Sequence, residues 1–574
     1  MNNLLIYDDS ISDALVTAFR KDLGLAVSFK IIGQELLNNN FSIDKKIHAF
    51  ILDKDEIEQK KYGAIFIPYS LSEENYLEFL GIRLAYHIRL TKEFKNLQVP
   101  IILFGPEDSF QINKLSTLGQ ILFTKNILHV KDSSIENFNT QLKNLKAIEI
   151  NEEEDEMFLK NFLTKIHIPP PINYQSHHSV DNELALLQWS KYLSCDHEIP
   201  EVKNKISTGL FFKYYIGLNP VENEERGNSF YINIPGSAKK IILIDDEADK
   251  GWLKFYENLL KINITTNKTI TLKNLNIEFK NLTQEDIIAK AKDFLFEEKP
   301  DLVILDLRLC DEDFNQGIIH EELTGIKILE YIKSLNKGIQ VIITTASNKI
   351  WNYENSSNAN GYILKQGSYD VKNTIKKLRQ NIEKSITDAS FLIDYYNKYK
   401  IIKEKLEERK NKDLPKDFVR EYLRWLLFGI EILQQNNVAK EEKNIVSFIF
   451  FFSVLENIAN RVIDTDTPEI TSDNGYKYKF RADNKYLKIF EVTAKKYSKT
   501  NMDIVSDRNL PWNQKILNTL DYYGCNTQNI NNLIKKRNDI IHQNTTTGNN
   551  KVTVSDLEIK VLFDLVTNRI EFIP

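Results

Sequence analysis

Five side chains with acid, hydroxyl and amine groups follow short apolar runs in the middle of the chain. They are Asp245, Asp246, Asp306, Thr345 and Lys365. Carboxylate oxygens are the ligands that Mg²⁺ prefers, and a bound cation offsets the mutual repulsion of clustered acids. A carboxylate can also accept a phosphoryl group covalently, and a lysine ammonium balances the charge of the product. These residue types are therefore suited to phosphoryl chemistry with a divalent cation.

The apolar runs predict the strands that position these side chains. Short aliphatic runs between polar residues are typical of strands buried on both faces of a parallel sheet. Four such runs are KIILI at 240–244, LVIL at 302–305, VIIT at 341–344 and YIL at 362–364. Thr324–Lys333 and Ser368–Lys384 have helical spacing. We expect a doubly wound α/β domain with its functional groups at the carboxyl ends of the strands.

Residues 236–385 resemble the receiver domain of two-component response regulators. The resemblance implies an α/β, flavodoxin-like fold and a Mg²⁺ ion held by the three acids named above. It further implies that Asp306 is the phosphoacceptor and that Thr345 and Lys365 contact the phosphoryl group. The implied partner is a histidine kinase or another phosphodonor.

Two features depart from the receiver pattern. The connection from Asp306 to Gly325 is longer than usual, and Gln366 follows Lys365 where the family has a proline. The cis peptide of the family is therefore in doubt, whereas all the residues that carry the chemistry are present. The alternative is a degenerate receiver that keeps the shape without the phosphorylation.

Residues 1–135 repeat the pattern at offsets of 237 to 240 residues, which indicates an internal duplication. The matching segments are Leu4–Asp9, Lys61–Pro68, Pro100–Gly105 and Ile121–Lys125. In this copy Pro68 stands at the acceptor position and Gly105 at the threonine position, and a proline cannot take a phosphoryl group. We expect a degenerate pseudo-receiver used for packing, dimerisation or ligand sensing. Asp8, Asp9 and Lys125 are then relics or structural residues.

The segment 136–235 is expected to be connecting and mainly helical. Asn182–Leu193 has the spacing of an amphipathic helix that packs the two receiver-like regions together or contacts a partner. A metal site would need nearby histidines and cysteines in a standard spacing. The candidates, which fit none of the zinc patterns, are His177, His178, Cys195 and His197. A polar surface is the favoured interpretation.

From residue 386 to 574 the pattern is helical, which predicts an all-α bundle. Apolar residues at i, i+3 and i+4 spacing mark five helices. They are Phe391–Glu408, Asp417–Gln434, Asn444–Val462, Asn526–His542 and Ser555–Ile570. The polar segment Thr465–Leu510, rich in Lys, Tyr and Asp, is expected to be an irregular insertion.

The sequence KKRNDIIHQN at 535–544 carries a second set of candidate residues. Arg537, followed by Asn538 and then by His542, resembles the R-x4–6-H motif of the HEPN superfamily. That family is a small helical bundle, and its active members are metal-independent ribonucleases that act as dimers. The resemblance implies that these three residues are catalytic, with Glu456 on an early apolar helix as a companion. It also implies a homodimer through this region and RNA as the substrate.

The residue types suit RNA cleavage by the 2′-hydroxyl. His542, the only histidine in the last 250 residues, can accept a proton near neutral pH. Arg537 stays charged and can bind the developing phosphorane. Asn538 and His542 are four residues apart and share a helix face. The alternative is that this pair caps and solvates a helix end, and that Glu456 is a surface acid at the edge of the core.

Composition narrows the function classes. The chain has 574 residues, a net charge of −5 and three scattered cysteines. Mild acidity and the lack of a helix-turn-helix pattern disfavour a DNA-binding regulator. The longest apolar stretch, near Ile445–Leu455, is shorter than a membrane span. We expect a cytoplasmic, signal-regulated ribonuclease effector in bacterial stress response or phage defence. The alternative is a non-catalytic module whose bundle recognises a partner or nucleotide.

Overall fold

A computed structural model of the chain shows the architecture. The structure describes all residues except those numbered 1, 30–39, 53–56, 58–59, 72–78, 148–153, 172–176, 220–231, 233–237, 261–269, 316, 347–357, 368–369, 411, 436–437, 473, 493–496, 507, 525–526, 542–551, 569–572 and 574. The candidate catalytic residue His542 therefore lies outside the described residues.

Five parallel strands form the first sheet, in the order β2-β1-β3-β4-β5. The strands are β1 Asn3–Tyr7, β2 Gly24–Ser28, β3 Ile65–Pro68, β4 Ile101–Phe104 and β5 Ile127–Val130. The helices of this region are α1 Asp13–Asp22, α2 Asn40–Leu52, α3 Leu80–Leu90, α4 Ser109–Leu115 and α5 Ile135–Ala147. Every residue of β3 and β4 is buried, as expected for central strands covered on both faces.

A second sheet has the same strand order, β7-β6-β8-β9-β10, and is also parallel. Its strands are β6 Lys239–Ile244, β7 Ile270–Asn274, β8 Leu302–Leu305, β9 Gln340–Thr345 and β10 Gly361–Leu364. Its helices include α10 Trp252–Leu259, α11 Gln284–Glu298 and α12 Thr324–Leu335. The prediction of two parallel α/β sheets is confirmed.

One of the four matched segments of the duplication was placed on the wrong element. Ile121–Lys125 is not the fifth strand, because Thr117–Phe123 forms a 3₁₀ helix and β5 begins at Ile127. Lys131, which directly follows β5, therefore stands where we expected Lys125. A short apolar run such as ILF fits a buried turn as well as a strand, so periodicity alone could not distinguish the two.

Four helices lie between the two sheets in sequence. They are α6 Asp155–Leu163, α7 His177–Tyr192, α8 Pro200–Thr208 and α9 Leu210–Leu218. One apolar cluster includes Ile65 of the first sheet, Trp189 of α7 and Ile241 of the second sheet. The helix predicted at Asn182–Leu193 thus packs the two receiver-like regions together, which was one of its two expected roles.

The C-terminal region is helical, as predicted, but its first helix is longer than expected. Residues 371–384 of the stretch predicted at Ser368–Lys384 and all of the stretch predicted at Phe391–Glu408 belong to one 39-residue helix, α13 Val371–Arg409. Ile375 in its first half packs in the core of the sheets, whereas Tyr395 in its second half packs in the C-terminal core. The remaining helices are α14 Lys416–Gln434, α15 Lys440–Val462, α16 Trp512–Tyr522, α17 Thr527–Ile541 and α18 Asp556–Thr567.

The segment Thr465–Leu510 is not simply irregular, which corrects the sequence-based expectation. It contains two antiparallel pairs: β11 Ile463–Ile470 with β12 Tyr476–Phe480, and β13 Phe490–Val492 with β14 Tyr497–Lys499. The alternation YKYKF in β12 is a period-2 pattern, but its lysines made the segment look like polar loop. Helix α16 was also missed.

Helix α15 is, by length and composition alone, apolar enough to cross a membrane. Half of its most apolar window is buried inside the structure, where it packs beside α14 and α18. A central core helix of a soluble protein has these same properties, so the finding is weak evidence for a membrane span.

Candidate functional site

Three carboxylates meet at the carboxyl edge of the second sheet. Asp245 directly follows β6, Asp306 directly follows β8, and these two strands are hydrogen-bonded neighbours. One carboxylate oxygen each from Asp245, Asp246 and Asp306 lies within 4.8 Å of the others. Asp245 and Asp306 are buried and Asp246 is exposed, so the cluster is open on one side. The three acids expected from the sequence are therefore brought together.

Lys365 ties two of these acids to the end of β10. Its Nζ lies 2.7 Å from Asp245 Oδ2 and 2.8 Å from Asp306 Oδ2, and its side chain is fully buried. Its backbone N–H donates to the carbonyl of Thr345 at 2.7 Å, which joins the ends of β9 and β10. Thr345 is itself buried at the last position of β9. All five residues predicted from the sequence thus share this edge.

Backbone donors fix the second oxygen of each buried acid. The Glu247 N–H donates to Asp245 Oδ1 at 2.9 Å, and the Arg308 N–H donates to Asp306 Oδ1 at 3.3 Å. Each carboxylate is therefore held on one side by the chain that follows it and on the other by Lys365. A buried carboxylate with partners at both oxygens has a defined orientation, as a phosphoryl acceptor requires.

The pKa values of the acids reflect their crowding. Burial, with the Asp245 charge, raises the pKa of Asp306 despite the attraction of Lys365. Although Asp246 is open to solvent on one side, the surrounding protein and the charges of Asp245, Glu247 and Asp306 raise its pKa well above the ordinary value. Burial disfavours the charge on Lys365, yet the two acids raise its pKa above the usual range. The negative charge at this edge therefore exceeds what one ammonium balances, which favours binding of a divalent cation.

The donor set fits Mg²⁺. Its ligands are three carboxylate oxygens, and oxygens around an octahedral Mg²⁺ lie about 3–4.2 Å apart. The observed spacing of up to 4.8 Å is close to that range, and small side-chain rotations suffice to reach it. Asp245, Asp246 and Asp306 are the group among the described residues that could hold a metal ion. The prediction of Mg²⁺ at these residues remains a prediction.

A buried acid that the sequence did not single out organises the long connection after Asp306. Asp313 is fully buried, and its carboxylate accepts hydrogen bonds from the backbone N–H groups of Leu309 at 2.8 Å and Thr324 at 2.9 Å. The Gln284 side chain is also directed at it, at 3.4 Å. The extra length of the connection therefore forms a compact turn held by one carboxylate.

The same edge of the first sheet is built differently. Asp8 is buried and accepts hydrogen bonds from the backbone and hydroxyl of Ser10. Pro68 ends β3 at the acceptor position, and the ring of Tyr69 next to it packs against Gly105. A Cβ on Gly105, whose φ is +154°, would lie 2.0 Å from that ring. The aromatic ring therefore fills the space beside the end of β4, and the edge offers no acceptor carboxylate at Pro68.

The C-terminal candidates form a second polar cluster. Arg537 on α17 donates from Nη2 to Glu456 Oε1 on α15 at 3.0 Å. Its guanidinium lies 4.4 Å from the ring centre of Trp512 and 5.9 Å from that of Phe452. Arg537 and Glu456, which are 81 positions apart in the sequence, are thus in direct contact. Two aromatic rings hold the arginine in place. Trp512, on the missed helix α16, was not predicted.

The other C-terminal candidates are only partly described. Asn538 follows Arg537 on α17 and is half-buried. His542 lies outside the described residues, so its predicted proximity to Arg537 and Asn538 is untested. Beside the cluster, Lys515 of α16 donates to Asn460 Oδ1 of α15 at 3.1 Å. Asn460 is one helical turn beyond Glu456, so a second cation lies near the arginine along α15.

The histidines and cysteine of the connecting segment form no described cluster. Cys195 is buried, whereas the side chain of His197 is 73% exposed. The side chains of His177 and His178 lie outside the described residues. Among the residues that the structure describes, no metal-binding group includes these positions.

Comparison with known proteins identifies one region of the chain. A family model described as "Inactive Receiver domain" (iREC) matches residues 16–130. The match agrees with the absence of an acceptor acid at Pro68 and with the prediction of a degenerate receiver at 1–135. A search of curated proteins gives no match. Residues 16–130 are thus an inactive receiver domain, which indicates a role in signalling.

Proposed function

We propose that the protein is a signalling effector whose second sheet is an active receiver and whose C-terminal helical region is the output. The observation that supports this most is the contact of one buried lysine with two acids: Lys365 lies within 2.8 Å of both Asp245 and Asp306. Asp306 would accept a phosphoryl group from a phosphohistidine of a kinase or from a small acyl phosphate. In the first sheet, Pro68 ends the strand that corresponds to β8 and supplies no acceptor carboxylate.

In the proposed reaction an oxygen of Asp306 forms a bond to phosphorus. The bond between phosphorus and the donor breaks, and its electron pair leaves with the donor. Mg²⁺ held by Asp245, Asp246 and Asp306 would neutralise the phosphoryl oxygens. Lys365 would turn from the Asp306 carboxylate to the phosphoryl oxygens, and Thr345 would contact them from the end of β9.

Helix α13 supports the proposed output. It begins six residues after Lys365 and continues without interruption into the C-terminal core. A continuous helix transmits a rotation that a flexible linker would absorb. We call the cluster of Asp245, Asp246, Asp306 and Lys365 at the carboxyl edge of the second sheet the acid edge. A change at the acid edge can therefore reach the bundle through one rigid element. We expect Asp306→Asn to change the output in cells.

Phosphorylation is tested by incubating the full chain with Mg²⁺ and acetyl phosphate or phosphoramidate. Intact-mass analysis should show the addition of one phosphoryl group. Asp306→Asn should abolish the addition, and Asp246→Asn should reduce it by weakening Mg²⁺ binding. Asp9→Asn, at the corresponding edge of the first sheet, is the matched control. An unchanged level in Asp306→Asn would exclude this acceptor.

We further propose that the output is metal-independent RNA cleavage, because Arg537 and Glu456 are in contact between two aromatic rings. In that reaction the 2′-oxygen would form a bond to phosphorus and the P–O5′ bond would break. His542 would take the 2′-hydroxyl proton, and Arg537 would bind the phosphorane, with Asn538 beside it. The departing 5′-oxygen would take a proton from solvent, so that the products would be a 2′,3′-cyclic phosphate and a 5′-hydroxyl end.

Ribonuclease activity is tested on total RNA and tRNA in EDTA. Wild type should cleave, whereas Arg537→Ala and His542→Ala should not. Lys535→Ala, an exposed neighbour on the same helix, should cleave normally. When the same variants are expressed in bacteria, wild type should arrest growth, whereas Arg537→Ala and His542→Ala at the same expression level should not. Cleavage that needs added metal, or that survives both substitutions, would favour the non-catalytic alternative, in which the bundle recognises a partner or nucleotide.

A homodimer through the C-terminal region is the proposed assembly. Trp425 of α14 stacks on Phe450 of α15, and Phe428 of α14 packs edge-on with both rings; all three side chains are partly exposed. A second copy seated on this surface would place two C-terminal bundles side by side. Analytical ultracentrifugation of Phe450→Glu should show loss of the dimer. The proposed location is the cytoplasm, and the proposed setting is bacterial stress response or phage defence.

A further inference from the structure

We propose that the inactive receiver domain responds to ligand binding at the acid edge and that α7 carries the response. This function is separate from the output through α13. The inference rests on the part of the proposed function in which Mg²⁺ and a phosphoryl group bind at Asp245, Asp246 and Asp306. It assigns a role to residues 16–130, which carry no acceptor acid of their own.

Helix α7 contacts both loops that carry the acid-edge residues. Trp189 donates from Nε1 to the carbonyl of Gln366, next to Lys365, at 3.2 Å. Asn182, two turns earlier, donates to the carboxylate of Glu247, which follows the acid pair. One helix therefore holds the loop after β6 and the loop after β10 at the same time.

The contact between α7 and these loops is close enough to exclude independent movement. A Cβ on Gly367 would lie 2.6 Å from the backbone carbon of Leu184. A Cβ on Gly251 would lie 3.1 Å from the side chain of Leu186 in α7. Protein packed this closely has little free space, so we expect a shift of either loop to shift the helix.

Lys365 provides the link from charge to position. Its Nζ lies 4.6 Å above the centre of the Trp252 ring, and that ring packs edge-on against Trp189 at 5.3 Å. A cation and a phosphoryl group bound by Asp245 and Asp306 would change the partners of this ammonium. Because the ammonium is attracted to the ring face, a change in its position alters the packing of both tryptophans.

The path continues from α7 into the inactive receiver. Glu183 pairs with Lys205 of α8 at 2.6 Å, and Lys205 lies 4.7 Å from the ring centre of Phe41 in α2. One helix further, the backbone N–H of Leu210 donates to Asp44 of α2 at 2.8 Å. Both contacts reach α2 of the inactive receiver domain. The acid edge and the inactive receiver are thus joined by contiguous polar and aromatic contacts.

The proposal is tested by hydrogen exchange on the full chain. Beryllofluoride with Mg²⁺ serves as the probe of the phosphorylated state, and Mg²⁺ alone and buffer serve as references. Binding is measured independently by calorimetry. In wild type, exchange should change in peptides from α7 (182–189) and from α2 (40–52).

Two variants interrupt the path without touching the acids. Trp189→Phe keeps the ring packing but removes the hydrogen bond to Gln366, and Lys205→Gln removes the ion pair with Glu183. Both should bind the probe normally and lose the change in α2. Lys416→Gln, at an exposed position at the start of the distant α14, is the matched control and should behave as wild type.

The outcomes separate the two proposals. Probe binding with unchanged exchange in α7 and α2 would overturn the proposed response of the inactive receiver domain and leave the phosphoryl site intact. An α2 response retained in both path variants would overturn this route. Failure of wild type to bind the probe, confirmed by Asp306→Asn giving the same trace, would overturn the proposed receiver function and this inference with it.

Discussion

The carboxyl edges of the two sheets share one strand order but not one chemistry. In the second sheet, Asp245, Asp306 and Lys365 form a buried network within 2.8 Å contacts. In the first sheet, Pro68 ends the corresponding strand and the Tyr69 ring packs against Gly105. The buried apolar strands maintain the fold in both, so the residues at the strand ends can change without loss of the sheet.

The largest expected difference between the edges concerns their lysines. Lys365→Met should lower the free energy of unfolding by about 3–5 kcal/mol, because it leaves Asp245 and Asp306 buried without a cation. Lys131→Met, at the end of β5, should change it by less than about 0.5 kcal/mol, since that side chain is 60% exposed. Urea denaturation in EDTA measures both. Equal effects would mean that the two edges are not electrostatically different.

The Tyr69 ring should make the first edge intolerant of a side chain at Gly105. Gly105→Ala places a Cβ 2.0 Å from the ring at a φ of +154°, and should destabilise the protein by about 1–3 kcal/mol. Adding Tyr69→Ala should remove the part of the destabilisation that comes from the steric clash, but not the part that comes from the backbone conformation. Thermal unfolding of the single and double variants checks this. A double variant as unstable as the sum of the two single effects would argue against the clash.

Acid titration should distinguish a paired acid near the first sheet from the crowded acids of the second. Burial alone would raise the pKa of Asp44, but His87 at 2.9 Å and Arg83 at 2.7 Å lower it. Its contribution is present above the unfolded pKa and is lost as the pH falls, with a limit of about 1.4 kcal/mol per pH unit. Asp306, whose pKa is raised, contributes in the opposite direction: its cost appears as the pH rises above the unfolded value.

The stability of Asp44→Asn and Asp306→Asn relative to wild type, measured from pH 3 to 6 in EDTA, gives these slopes. The loss of folding stability caused by Asp44→Asn should become smaller toward low pH. Any increase in stability caused by Asp306→Asn should also become smaller there, because Asp306 of the wild type is then protonated and uncharged. Slopes of the same sign for the two single-site contributions would contradict the assigned shifts.

Mg²⁺ should produce the smallest of these differences. At three times its dissociation constant, an ion that binds only the folded state stabilises it by about 0.8 kcal/mol. This gain should be lost in Asp246→Asn and retained in Asp9→Asn. Differential scanning fluorimetry with and without Mg²⁺ measures it, with Ca²⁺ as a test of ion size. If Asp9→Asn abolished the stabilisation by Mg²⁺, the ion would bind at the first sheet and not at Asp245, Asp246 and Asp306.

The sequence predicted the central strands and the acids at their ends because both depend on local patterns. The run LVIL and the following Asp306 fix a buried strand and its carboxyl end together. Lys131 was missed because the ILHV run carries the polar His129, and the neighbouring ILF run matched the pattern better. Tyr69 and Trp512 act through contacts with residues distant in sequence, which no periodicity reports.

The C-terminal prediction shows the same limit. Glu456 and Arg537 were selected by type and family resemblance, and the structure brings them within 3.0 Å. The strands of Thr465–Leu510 were missed because lysines alternate with tyrosines in β12, although Tyr478 and Phe480 are buried on one face of that strand. The two halves of α13 were predicted as separate stretches. No glycine or proline lies between them, and this absence is consistent with the continuous helix that the structure shows.

The unbroken α13 makes the angular setting of the C-terminal bundle a matter of residue count. Its 39 residues span about 58 Å, and Ser385 and Leu392 are buried on either side of its middle. One residue inserted between them would turn the bundle by about 100°, whereas seven would bring it back to within about 20°. Homologous chains with this architecture should therefore vary in length here by whole heptads rather than by single residues.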